Sequence, residues 1–355
     1  MKIDEVVEQG RKSLLEILEE IPAIKIKDRS PTSSAYTGAD FAITIEVKPT
    51  RIIRHLIGEV KINGQPAIAR DAVRQLEVQI GKNSSNTYGI FIAPYLSIDA
   101  QNICKAAGIG FMDLAGNCYL SFDSVYVSRN SFPNLYPDRR SLNSLFSPKA
   151  ERIFRVLVEA GPRRWKTQEL SDEAQVSIGQ TAKVKSRLQE REWIRSGKIG
   201  FELTQPKTLL DDWARSYRIG RNKVYRYYTL LTPQESEKEL SDKAGPLDTG
   251  FAFTSFSAAS KYAPMVRYQR LDAYLSSENK ITEIANLLGW KEVATGANVF
   301  LYVPYDRGVL YATRSESSRS VVSATQTFLD VSQSKARGEE AAQALLNGVI
   351  LERWK

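Results

Sequence analysis

The sequence predicts a multidomain α+β chain, on three observations. Segments of alternating hydrophobicity and segments of helical period follow one another along 355 residues. A chain of that length exceeds one ordinary domain. Two stretches rich in turn formers and polar residues, Ser131–Ser147 and Thr232–Thr249, interrupt the pattern. They set expected domains at 1–135, 141–230 and 246–355.

The front third opens with a helical pattern over Asp4–Glu20, whose apolar stripe is Val7, Leu14, Ile17, Leu18 and Ile21. Asp40–Val47 and Ile52–Ile62 then alternate and are rich in β-branched residues, as strands are. Lys48-Pro49-Thr50-Arg51 is the turn signal between them. A turn centred on Pro49 and Thr50 puts position 40 opposite position 59, with two residues of slippage allowed. Glu59 and Lys61 are two apart and share a face, so two carboxylates and an ammonium gather in one place. Close carboxylates repel unless a proton or a cation lies between them, and a hard ion such as Mg²⁺ suits such a pair. A second Glu-Val-Lys, at positions 46–48, abuts the turn away from Asp40. A helix over Ala67–Gly81 follows.

With Asp40 followed by Glu59-Val60-Lys61, residues 1–130 resemble the PD-(D/E)xK nuclease superfamily. The resemblance implies a restriction-endonuclease-like α/β domain with a helix, a three-stranded meander and a second helix. It places Asp40, Glu59 and Lys61 at catalytic positions, with Asp40 and Glu59 holding Mg²⁺. Gln75 matches a Gln found in the second helix of some branches, whereas Ala39 replaces the usual Pro. A further acidic ligand from the first helix is open between Glu8 and Glu19, which flank its stripe. Such folds also persist as inactive DNA-binding domains, so cleavage and binding both stay open.

Composition narrows the chemistry. Hydrophobic residues make up 42% and charged residues 25%, as in a soluble globular protein. Neither a membrane-spanning apolar run nor a signal peptide is evident, so a cytoplasmic location without membrane partners is expected. Cys104 and Cys118 form no metal-binding or disulfide pattern. His55 is the single histidine, which excludes most Ser-His-Asp and His-ligated zinc chemistry; it reads as a strand residue. No phosphate-binding glycine loop appears.

Charge placement is more telling. Residues 141–230 hold 18 Lys and Arg against 10 Asp and Glu, while the remainder balances at 31 against 31. The whole surplus of +8 therefore lies in the middle segment, the mark of a polyanionic partner.

That segment reads as a helix over Pro148–Ala160, a strand at Arg163–Lys166, helices over Gln168–Ala174 and Ser177–Glu192, then a hairpin to Leu203. The order is that of a winged helix-turn-helix, whose third helix enters the major groove of double-stranded DNA. Ile178, Val184 and Leu188 are expected to anchor that helix. Gln180, Thr181, Lys183, Lys185 and Arg187 are expected to face DNA, with Arg163, Arg164, Lys166, Arg195 and Lys198 on phosphates.

Trp213–Tyr228 interleaves basic and aromatic residues, in the manner of a connecting helix or a nucleic-acid grip. Beyond it an α+β domain is expected. Its helices cover Ser257–Tyr262, Ser323–Val331 and Gly338–Asn347, and Asn298–Val303 pairs with Gly308–Thr313. Gly110–Tyr119, Gly250–Pro264 and Val321–Ala342, with the winged helix, resemble the bacterial AbiE-type (type IV) antitoxins. The resemblance implies transcriptional autorepression and opposition to a nucleotidyltransferase toxin encoded nearby. Two functions follow as expectations. One is a DNA-binding regulator whose front domain holds DNA or builds a homodimer. The other is a Mg²⁺-dependent endonuclease delivered by the winged helix.

Overall fold

The computed structural model describes residues 1–28, 38–82, 86–135, 145–244, 250–263, 268–316, 319–334 and 337–355. The chain divides into two units: Met1–Arg139 with Gln189–Glu192, and Arg140–Leu188 with Trp193–Lys355.

The first unit runs α1 (Ile3–Glu19), β1 (Ile24–Asp28), β2 (Phe41–Val47), β3 (Ile52–Val60), α2 (Pro66–Lys82), β4 (Thr87–Ala93), α3 (Ile98–Ala106), β5 (Gly110–Asp113), β6 (Cys118–Phe122) and β7 (Val125–Arg129). These seven strands form one sheet in chain order. β3, β4 and β5 are parallel, because α2 and α3 supply the crossovers that parallel neighbours require. Strand alternation splits the core in two. Phe41, Ile43, Leu56 and Val60 pack with α1, while Ala42, Ile57, Phe91 and Phe111 pack with α2 and α3. β4 lies between both layers and buries all seven residues, hence its continuous apolar run. In α1 the buried stripe passes through Val6, with Val7 only partly covered.

The second unit begins with α4 (Pro148–Glu159), β8 (Arg164–Trp165), α5 (Thr167–Ala174), α6 (Ile178–Glu190), β9 (Ile194–Ser196) and β10 (Phe201–Leu203). Pro148 starts α4 at a position where a missing N–H costs nothing, and Gln175, left-handed at φ 51°, ends α5. The three strands pair in the order β8-β10-β9. Gly200 permits this closure: a Cβ there would lie 2.5 Å from the Trp165 carbonyl oxygen.

Next come α7 (Pro206–Ser216), β11 (Lys223–Tyr228), α8 (Pro233–Ala244), β12 (Ala252–Phe253), α9 (Ser255–Tyr262), β13 (Leu271–Tyr274), α10 (Glu278–Leu287), β14 (Lys291–Glu292) and β15 (Val299–Val303). β16 (Arg314–Glu316), β17 (Arg319–Val321), α11 (Ala324–Val331) and α12 (Arg337–Leu345) follow, and short helical segments over Leu346–Ile350 and Leu351–Trp354 end it. The second seven-stranded sheet is ordered β14-β11-β15-β13-β12-β17-β16.

Several expectations fail here for identifiable reasons. Trp213–Tyr228 is not one connecting helix: α7 stops at Ser216 and the remainder enters the sheet as β11. The expected linker Thr232–Thr249 contains α8, which buries Leu240 and Ala244. Gly308–Thr313 does not pair with β15, which lies between β11 and β13 instead. Residues Arg307–Leu310 form a 3₁₀ turn, capped by the Asp306 carboxylate on the Gly308 amide at 2.8 Å. The expected boundary between 141–230 and 246–355 also differs from the observed units. Phe154, Trp213 and Tyr217 share one core with Ala259, Phe328, Leu329 and Leu345, so the middle segment and the carboxyl-terminal part form one body.

Candidate functional site

In the first unit, the β2–β3 ladder pairs Val47 with Ile52 and continues to Phe41 with Gly58. Asp40 and Glu59 stand one step beyond that last pair, and the Asp40 amide donates to the Gly58 carbonyl at 2.9 Å. Directly opposed residues share a face, here that of Ala42 and Ile57, under α2. Gly58 carries no side chain because the Phe41 ring occupies the space, 2.3 Å from where a Cβ would be.

The Val60 amide donates to Asp40 Oδ2 at 2.6 Å, fixing that carboxylate. Lys61 Nζ donates to Glu59 Oε1 at 2.5 Å and to Gln75 Oε1, on α2, at 3.2 Å. Glu59, Lys61 and Gln75 are thus joined by hydrogen bonds, with Asp40 beside them. Only 5% of Glu59 is exposed. Burial raises its carboxyl above the ordinary range; the Lys61 ammonium opposes that shift, and the charges of Asp40 and Asp71 add to it.

Asp40 Oδ1 and Glu59 Oε2 accept no hydrogen bond among the described residues. Two hard oxygens at the end of the β2–β3 ladder, with the Gln75 amide carbonyl and the Lys61 ammonium beside them, are a donor set that fits Mg²⁺ with open water positions. No third Asp, Glu, His or Cys joins them among the described residues. Glu8 and Glu19 do not: α1 covers the opposite face of the sheet and both are exposed. The second Glu-Val-Lys is engaged elsewhere, Glu46 pairing with Lys27 at 2.6 Å. His55 bonds Thr44 across the ladder at 3.2 Å, as a strand residue does.

In the second unit the expected DNA-facing residues separate into groups. Lys166, Lys183 and Lys198 are exposed and form no ion pair among the described residues. Arg163 pairs with Glu169 and lies 4.0 Å over the Trp165 ring. Arg164 and Arg195 both approach Glu202, at 3.5 and 3.6 Å. Lys185 is half-buried with its ammonium 4.9 Å from the Phe201 ring centre, while Gln180 and Arg187 are half-buried. Thr181 is fully buried and donates to the Ser177 carbonyl at 3.2 Å, so it faces the core rather than a partner. Conversely Ile178, expected as an anchor, is 50% exposed. The two errors have one cause: the buried line of α6 is Thr181, Val184 and Leu188, which leaves Ile178 off the covered face.

The second unit also holds a buried polar network that the sequence expectations do not contain. The Tyr217 hydroxyl donates to Asp330 Oδ1 at 2.6 Å and that of Thr254 to Oδ2 at 2.5 Å. Tyr274 donates to the same carboxylate at 3.1 Å, as does the Gln326 amide. Arg155, without exposure, donates to Gln326 Oε1 at 2.6 Å. Asp272, also without exposure, accepts from Tyr302 at 3.0 Å and Arg270 at 2.9 Å. The one sequence signal was the i,i+4 spacing of Gln326 and Asp330 inside a helix otherwise of apolar and small residues. Every Asp330 partner lies between 217 and 326.

Residues 202–351 match the AbiEi antitoxin family. Its description is a transcriptional regulator, the AbiEi antitoxin of a type IV toxin–antitoxin system. The AbiEi match starts within β10 and holds Asp330 with its four direct partners and the second seven-stranded sheet, while Arg155 lies before it. Gly250–Pro264 and Val321–Ala342 fall inside it. Gly110–Tyr119 falls outside, in the first sheet, where Asp113 accepts the amides of Ala115 and Asn117 and closes the β5–β6 turn.

No curated protein matches the chain. Among solved structures, an EndoMS–double-stranded DNA complex is 17% identical with a TM-score of 0.22, covering 30% of this chain and 44% of that one. A repair endonuclease from Pyrococcus abyssi is 17% identical with a TM-score of 0.21, covering 29% and 46%. The chain thus spans less than half the length of either, and likeness of this extent transfers neither fold nor activity. Among the described residues no helix is long and apolar enough to cross a membrane.

Proposed function

We propose that this protein is a DNA-binding transcriptional regulator of the AbiE antitoxin kind, with a nuclease-type front unit. The observation that carries the reading is a coincidence along the chain. The helix, strand, two-helix, hairpin order of α4 to β10 holds 12 Lys and Arg against 8 Asp and Glu, half of the +8 surplus, and runs directly into the AbiEi match. On this reading α4–β10 is a winged helix-turn-helix, α6 enters the major groove and the β9–β10 hairpin meets the backbone. Lys166, Lys183 and Lys198 contact phosphates, and Arg163, Arg164 and Arg195 join them by exchanging carboxylate partners for phosphate. The family description supports a toxin as the functional counterpart. Gel-shift titration of full-length protein with its own upstream DNA, at several salt concentrations, tests the reading. A six-phosphate contact gives a log–log slope of about −5. Absence of any shift at low salt overturns it.

A second reading rests on the β2–β3 register. It is a Mg²⁺-dependent endonuclease in which Asp40 and Glu59 hold the ion, Lys61 positions a water or neutralises developing phosphate charge, and Gln75 steadies Lys61. The bound ion supplies Lewis-acid polarisation of the scissile phosphate. Cleavage by wild type that is lost in Asp40→Ala, with gel-shift affinity retained, supports this reading. Cleavage that survives Asp40→Ala with Glu59→Ala defeats it.

A further inference from the structure

The exposed face of α6 is unusual in what it lacks. From Ile178 the helix carries no carboxylate until Glu190 at its last residue. Its covered line is Thr181, Val184 and Leu188, which turns Ile178 and Ala182 outward, one turn apart. Lys183 is exposed as well, about 100° farther round the helix from Ala182. A single exposed isoleucine is ordinary on a protein surface. Here it opens a helix bordered by cations, on the chain's one basic segment, so charge complementarity commits the occupant of this face to duplex DNA. In the major groove the only apolar group that a base pair offers is the thymine 5-methyl.

We propose that Ile178, with Ala182, reads thymine methyl groups in the major groove. The duplex this chain prefers therefore carries thymines beneath the first turns of α6. The inference rests on the DNA-binding reading above and adds to it a base preference and the residue that sets it. Lys183 holds register on the phosphates and carries no sequence information.

The experiment uses the full chain and duplexes that it selects from a random pool, resynthesised with deoxyuridine in place of thymidine. Uracil keeps the hydrogen-bonding edge and removes only the methyl. Binding is expected to weaken about 4-fold for each contacted methyl lost, the value of one buried carbon group. In Ile178→Ala the ratio between thymine and uracil duplexes should fall towards one. Lys198→Ala should weaken both duplexes equally and preserve the ratio. Ile178 is half-exposed, so its variant should melt with wild type, which separates reading from folding. Equal binding of both duplexes by wild type overturns this inference and leaves DNA binding standing, as does a methyl ratio unchanged in Ile178→Ala. Failure to bind any duplex overturns both.

Discussion

Tyr217 and Asp330 meet at 2.6 Å across 113 residues of chain, both buried. The first belongs to the segment after α7 and the second to α11, so the contact ties those two parts of the AbiEi-matched region together, and Tyr274 links the same carboxylate to β13. Asp330→Ala removes the acceptor of four side chains and leaves their donors buried. Unfolding in urea should show a loss of about 3 kcal/mol or more. Asp330→Asn keeps the shape and one acceptor oxygen, and should lose markedly less.

Burial raises the Asp272 carboxyl to about 6 from an ordinary 3.8, the Arg270 guanidinium opposing the shift. A raised carboxyl favours the folded state while protonated. Its contribution is therefore complete below about pH 4 and disappears as pH rises through about 6. Two units correspond to about 3 kcal/mol. The stability of wild type relative to Asp272→Asn should fall by about that amount between pH 4 and pH 7. Parallel urea titrations check it; an unchanged difference would refute the assignment.

On the nuclease reading, Mn²⁺ should report the first unit's donor set. Asp40→Asn and Glu59→Gln should each weaken Mn²⁺ binding by at least about 10-fold, measured by electron paramagnetic resonance of the free ion. Lys61→Ala should strengthen it, since it removes a like charge and releases Glu59 Oε1. Cleavage, where present, should be lost in that same variant.

Thr181 and Lys183 are two residues apart and should behave oppositely. Thr181→Val removes a buried hydroxyl and should change stability by about 1 kcal/mol with the salt slope of DNA binding intact. Lys183→Ala should leave melting unchanged and reduce that slope by about one.

The β2–β3 register was legible because a single turn signal lies between two alternating segments, and hairpin register depends on where the chain reverses. Placing Asp40 next to Glu59 needed only that count. The orientation of α6 departs from expectation because Ile178 and Thr181 both suit a helix interior, and hydrophobicity favours the one that is exposed. Thr181 is buried because its hydroxyl is satisfied by the carbonyl of Ser177, the residue just before its own helix.

Local period, the position of one turn and the location of charge are properties of short windows, and the chain alone expresses them. The joining of residues 141–230 to 246–355 is of another kind. Asp330, Asp272 and Arg155 tolerate full burial only because partners from distant elements meet them there, and no window of sequence contains both halves of such a contact. Folding brings those partners together, and with them it decides which helix faces remain outside to meet another molecule.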